Sequence, residues 1–195
     1  PGAERDLAQL REFARSELGI ADLQPWDMTY ASEQLKQQRY ALSQEDLKPY
    51  FPAPKVIDGL FAVAQRLFGI SIVPAPELQS YHADVSTWAL VEQGEVRAYF
   101  YLDLYARANK RGGAWMADAR VRRRHADGTL QKPIAFLTGN FNPPVAGRPA
   151  LLSHDEVTTL FHEFGHGIHH MLTEVEVAAV SGIKGVAWDA VELPS

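Results

Sequence analysis

The stretch Ser153-His154-Asp155-Glu156-Val157-Thr158-Thr159-Leu160-Phe161-His162-Glu163-Phe164-Gly165-His166-Gly167-Ile168-His169-His170-Met171-Leu172 decides how this chain is read. Ser153 followed three residues later by Glu156 has the form of a capping box, and Asp155 and Glu156 put negative charge where a helix N-terminus favours it. Phe161, Ile168 and Leu172 form one apolar stripe, with Leu160, Phe164 and Met171 beside it, so the spacing predicts a helix that is apolar over most of its circumference and buried. His162 and His166, four residues apart, then stand on one face one turn apart, as suits two ligands of a tetrahedral zinc ion. Glu163 lies between them, placed to act as general base towards a water polarised by that ion. Two imidazoles and a carboxylate inside a protein are unfavourable unless something satisfies them, and a divalent cation would do so.

The bare H-E-x-x-H pattern needs a third ligand. Glu174 and Glu176 are the nearer candidates, but they follow the helix end on the exposed side of a turn. Glu192 lies in Trp188-Asp189-Ala190-Val191-Glu192-Leu193-Pro194-Ser195, where Asp189 can cap a new helix, bring Glu192 into its first turn and itself partner a ligating histidine. His170 continues the four-residue series, but three histidines over two turns span about 11 Å of rise, too far for one ion. His169 and His170 are read as C-terminal residues favoured by the helix dipole. His154, His82 and His125 are read as capping-region, strand and loop histidines. Gly165 and Gly167 each disfavour the helix by about 1 kcal/mol relative to alanine, which calls for close packing or clearance beside the helix.

Upstream, Glu4 to Leu18 has helical spacing ended by Gly19, Asp27 can cap a helix reaching about Ala41, Ser43 starts a short one, and Pro54 opens another that Gly69 ends. Ile70 to Val73, Asp84 to Glu92 and Val96 to Tyr105 read as strands, the last two joined by a turn at Gln93-Gly94-Glu95. Ala114 to Arg124 and Pro133 to Phe141 flank a second turn signal at Asp127-Gly128. The class is therefore α+β: a helical part (1–69), a small, mainly antiparallel sheet (70–141) and metal-binding helices (153–195). Pro133 to Phe141 is either a plain structural strand or a sheet edge that pairs with extended substrate backbone. Ser181 to Gly185 is either a connector or a loop over the cleft.

The chain of 195 residues is 46% hydrophobic and 22% charged, ordinary for a globular domain with a core. A formal charge of −5 leaves no footprint for nucleic acid; the run Arg120, Arg122, Arg123, Arg124 reads as a solvated strand end. The absence of cysteine excludes disulfides and thiolate zinc ligation. No stretch of about 20 residues is free of charge, so no membrane-spanning helix is expected, and the first residues are too charged for a secretory leader. A cytoplasmic location is expected.

Phe161-His162-Glu163-Phe164-Gly165-His166-Gly167 followed by Val191-Glu192-Leu193-Pro194-Ser195 closely resembles the thimet oligopeptidase and neurolysin family of zinc peptidases, its bacterial oligopeptidase branch most of all. Tyr99 to Arg107, Leu137 to Phe141, Leu152 to Val157, Pro25-Trp26-Asp27, Tyr30 and Leu47 to Pro52 carry the likeness along the whole chain. The resemblance implies a zincin-like core, one zinc ion on His162, His166 and Glu192, Glu163 as general base, and internal cleavage of short unstructured peptides. It favours mobility for Ser181 to Gly185. It also implies a much longer enzyme, whose later helical region supplies tyrosine and histidine side chains to the tetrahedral intermediate. The 195 residues are therefore expected to be a partial catalytic domain, inactive alone. The other readings are a dipeptidyl carboxypeptidase of the same family and a non-catalytic structural fragment. Oligomeric state is not legible.

Overall fold

The computed structural model describes residues 2–41 and 43–195, which form two compact units, Pro1–Pro49 and Tyr50–Ser195. The first unit is helical: α1 (Gly2–Glu17), α2 (Met28–Tyr40) and the short α3 (Gln44–Leu47). Its core is small, with Leu10 and Ala14 of α1 meeting Ala31 of α2, and Leu18, Ile20, Leu23 and Leu35 around them. Ser43 and Asp46 close a reciprocal capping box on α3. Asp27 stands at the head of α2 but does not cap it through its side chain; the carboxylate turns back to accept from the Gln24 amide at 3.2 Å.

The second unit packs α4 (Ala53–Phe68) and α5 (His154–Met171) on a five-stranded sheet of β1 (Ser71–Pro74), β2 (Ser86–Glu92), β3 (Glu95–Tyr105), β4 (Trp115–Arg120) and β7 (Ile134–Phe141); β5 (Arg123–Arg124) and β6 (Leu130–Gln131) form a separate ribbon. α4 begins beside Pro52 and ends at Gly69, whose φ of 67° places it in the left-handed region that favours glycine. The β2–β3 hairpin closes on Gln93-Gly94, both at positive φ, with Glu92 opposite Glu95, a two-residue turn whose twist matches the strands.

The sheet runs β1-β2-β3-β7-β4, with β3 and β7 parallel and the other pairs antiparallel. It is a mixed sheet, and the segment from β3 to β7 is the long connection that a parallel pair requires. β7 is thus an interior strand, not an edge. The free edges belong to β1 and β4. The stretch 114–124 is not one strand: it breaks after Arg120, because Arg122 turns into the protein. Arg122 is buried and its Nη2 lies 3.0 Å from Glu176 Oε1, while Arg124 Nε donates to Glu176 Oε2 at 2.6 Å. Two of the four arginines read as solvated thus share one carboxylate, which Arg124 foremost holds below the usual range. The Asp127-Gly128 turn belongs to the β5–β6 ribbon, and His82 sits in the loop before β2, its Nδ1 accepting from the Asp84 amide.

Alternation along β3 sends Ala98, Phe100, Leu102 and Leu104 into the core, where Val56, Leu60 and Ala64 of α4 and Leu160, Phe164, Ile168 and Met171 of α5 meet them. On the opposite face Asp103 is buried and gathers Arg107 in a two-pronged pair, the Lys110 ammonium at 2.8 Å and the Tyr81 hydroxyl at 2.8 Å. Burial by itself would raise the Asp103 carboxyl, but these donors outweigh it and hold the group well below the carboxylate range. Burial and the Asp103 charge push Tyr81 up to about 12. Among the described residues no helix is long and apolar enough to cross a membrane.

Candidate metal centre

Each feature of α5 follows from its sequence. Ser153 Oγ accepts from the Glu156 amide and Glu156 Oε2 accepts from the Ser153 amide at 2.7 Å, a complete capping box. The helix is fixed to the sheet through its small residues: a Cβ on Gly167 would lie 3.1 Å from Leu137 of β7. Fixed in this way, α5 presents His162 and His166 one turn apart, their rings edge to face with centroids 4.8 Å apart.

The third group arrives from far along the chain. Glu192 Oε2 lies 3.3 Å from His162 Nε2 and 3.2 Å from His166 Nε2. These three residues form the one cluster of possible ligands found among the described residues. For bonds of about 2 Å in tetrahedral array, adjacent donors sit about 3.3 Å apart. Two ring nitrogens and a carboxylate oxygen converge on one point at the spacing of adjacent donors around such an ion, so the donor set fits a divalent cation. Nitrogen and oxygen donors of this kind would suit zinc, and three protein donors would leave a coordination position open.

Glu192 reaches this position without a helix. Residues 188–194 are overlapping turns, held by Ala190 N–H to Ala187 O, Leu193 N–H to Ala190 O and Ser195 N–H to Glu192 O. The expected cap at Asp189 is therefore absent. Asp189 is exposed and makes no hydrogen bond to either imidazole, and His166 Nδ1, though buried, has no partner. Gly165 permits the approach: a Cβ there would lie 2.5 Å from Pro194 O and 2.7 Å from Ser195 Cα. Both sequence explanations for the helix glycines apply, close packing at Gly167 and clearance at Gly165. Glu174 and Glu176 lie elsewhere: Glu174 is exposed near Arg97, and Glu176 is engaged by Arg122 and Arg124.

Glu163 is half-buried and has neither a hydrogen bond nor an ion pair with another described residue. It borders a small cleft with Thr159 and Leu160 of α5, Thr138 and Gly139 of β7, and Ala114 at the threshold of β4. This neighbourhood is formed where α5 packs on β7 beside the start of β4, which no local pattern predicts.

His170 differs from its expectation. It is fully buried, burial pushes its pKa down, and Nε2 pairs with Arg120 O at 2.7 Å. It is a neutral tie between α5 and the end of β4, not a cation at a helix terminus. The segment 181–185 rests against it. Ser181 and Gly182 are buried, Gly182 at φ 63° leaves no room for a Cβ beside His170 Nδ1, and Lys184 Nζ lies 3.1 Å from Asp118. In this structure the segment is seated, not open.

Comparison with known proteins places the chain in a family. The chain belongs to peptidase family M3, whose description matches residues 1–195. Within that class it is similar to oligopeptidase A of Escherichia coli strain K12, at 59% identity over 196 residues covering 100% of this chain and 29% of that protein. It is similar also to the organellar oligopeptidase A of Arabidopsis thaliana (43%; 99% and 25%) and to the dipeptidyl carboxypeptidase of Escherichia coli strain K12 (38%; 99% and 28%). The chain thus spans between a quarter and a third of the length of these curated relatives.

Proposed function

We propose that this chain is the zincin-like, metal-holding part of a cytoplasmic zinc endopeptidase acting on short, unstructured peptides. The observation that carries this reading is the carboxylate oxygen of Glu192 equidistant, at 3.3 and 3.2 Å, from the two imidazole nitrogens of His162 and His166. Those three side chains would hold one zinc ion, which when bound polarises the scissile carbonyl and lowers the pKa of water.

The remaining work falls to the protein. Glu163, next to His162 and without a partner among the described residues, takes the proton from the attacking water and delivers it to the departing amine nitrogen. No serine or cysteine nucleophile is needed. Extended substrate backbone pairs with the free edge of β4, since β7 is occupied on both sides. The chain covers only part of its relatives' length, and residues 1–195 alone are read as holding the ion without the groups that stabilise the transition state.

Metal analysis tests the centre directly. His162→Ala in the intact protein should lower zinc from about one equivalent to a small fraction, because two of the three ligands remain without the third. Unchanged stoichiometry would remove His162 from the ligand set. The similarity to a dipeptidyl carboxypeptidase supports a second reading, release of C-terminal residue pairs. A peptide amidated at its C-terminus separates the two: internal cleavage at rates close to those of the free-acid peptide is expected here, and cleavage confined to the free acid would transfer the assignment to the second reading.

A further inference from the structure

The segment between β3 and β4 ought to be loose. It contains Gly112-Gly113, Gly113 lies at φ 94° and Asn109 at φ 64°, and adjacent glycines disfavour a fixed conformation. Instead it is pinned at both ends by side-chain donors, part-buried at its start and exposed at its end. At its start Lys110 Nζ, nearly inaccessible, donates at 2.8 Å to Asp103 O, Asp103 Oδ1 and Tyr105 O. At its end the Asn140 amide donates to Arg111 O at 2.8 Å and Gly113 O at 2.7 Å. Both anchors stand at the same end of neighbouring strands, β3 and β7. Arg111 lies over the Trp115 ring at 5.5 Å, so the loop is also held to the first residue of β4.

The residue this clamp delivers is Ala114. It follows Gly113 directly, precedes the free edge strand, and borders the same cleft as Glu163, Thr138 and Gly139. We propose that Asn140 is a positioning residue: its amide, through the Gly113 and Arg111 carbonyls, fixes the height of the β4 edge relative to Glu163 and so sets which peptide bond of a bound strand meets the base. The inference rests on the reading of Glu163 as base and of β4 as the substrate-pairing edge. Asn140 touches neither substrate nor ion; it acts through the loop backbone. Rigid registration of this kind matters because a misplacement of about 1 Å can reduce turnover by about 100-fold.

Asn140→Asp is the informative substitution. It keeps shape but removes the donor, and sets carboxylate oxygens against two carbonyl oxygens now under 3 Å from the side chain. In the intact protein kcat/KM should fall between about 10- and 100-fold, with one equivalent of zinc retained. On a peptide long enough to offer several bonds, cleavage should spread to neighbouring positions. Lys110→Met, which releases the other end of the loop, should spread it in the same sense. Glu163→Gln runs in parallel: if it loses turnover while Asn140→Asp cuts the same bond within twofold of the normal rate, the positioning role is refuted and the base stands. If Glu163→Gln stays active, the underlying reading of the site fails instead. If both loop variants lose activity only in step with zinc content and melting temperature, with cleavage positions unchanged, the clamp is a structural brace and the inference is overturned.

Discussion

Glu163→Gln should abolish nearly all peptide cleavage while leaving the metal in place. Glutamine has the volume of glutamate and keeps an acceptor oxygen, so nothing about packing changes. What disappears is a group able to take a proton from water and return it to an amine, a contribution of about 10²- to 10⁴-fold in general acid–base catalysis. The structure makes the substitution unusually clean. Glu163 forms no hydrogen bond or ion pair with any described residue, so no partner is stranded when its charge is removed. The ligand cluster does not include it. The decrease should therefore appear in kcat, with KM and zinc stoichiometry close to those of the unmodified protein, and with no loss of melting temperature. A variant that cuts at normal rates would show that another group receives the proton.

How far the sequence foretells this centre depends on distance along the chain. The helix and its two histidines are local: a capping box, a 3.6-residue apolar rhythm and a four-residue spacing fix them, and the structure holds α5 where the pattern places it. Glu192 lies 26 residues beyond His166, where propensity and caps suggest a helix and the structure has turns; its candidacy over Glu174 and Glu176 rests on the local pattern and is strengthened by the resemblance. The parallel pairing of β3 with β7 was not legible either, since an alternating pattern tells which face is buried but not which strand lies alongside. Three readings depend on unseen pairing of this kind. β7 reads equally as a plain structural strand or as an edge while its partners are unknown. Arg122 looks solvated when Glu176 is 54 residues away. His170 at a helix end looks like a dipole-favoured cation until the Arg120 carbonyl and Gly182 close over it. Asp27 differs in kind: the residue is right for a cap, but a competing local bond to the Gln24 amide takes its carboxylate.

Gly165→Ala is the second large effect, and it should separate stability from function. In an ordinary helix interior this change stabilises by about 1 kcal/mol, because alanine loses less backbone freedom. Here the new Cβ would fall 2.5 Å from Pro194 O and 2.7 Å from Ser195 Cα, both backbone atoms that no side-chain rotation can remove. One of the two bodies must move. α5 is held from behind, where Gly167 lies against Leu137 and His170 is tied to Arg120. The turns of residues 188–194 are held to one another by single i to i+3 bonds, fewer than the bonds that fix α5, so they are the part expected to yield. Their displacement reaches the ligand directly: the Ser195 hydroxyl lies 2.9 Å from Glu192 O and 3.1 Å from Glu192 Oε2, the oxygen that faces both imidazoles. Relieving a 2.5 Å contact requires a shift larger than the about 0.2 Å that a three-point metal geometry tolerates. Zinc affinity, measured by competition with a chelator, should therefore fall by about 10- to 100-fold or more, and activity at limiting zinc should fall with it. The melting temperature of the metal-free protein should hold or rise. A variant that binds zinc as tightly as the unmodified protein would mean that the Glu192 carboxylate does not depend on the gap in α5, and would separate Glu192 from the metal centre.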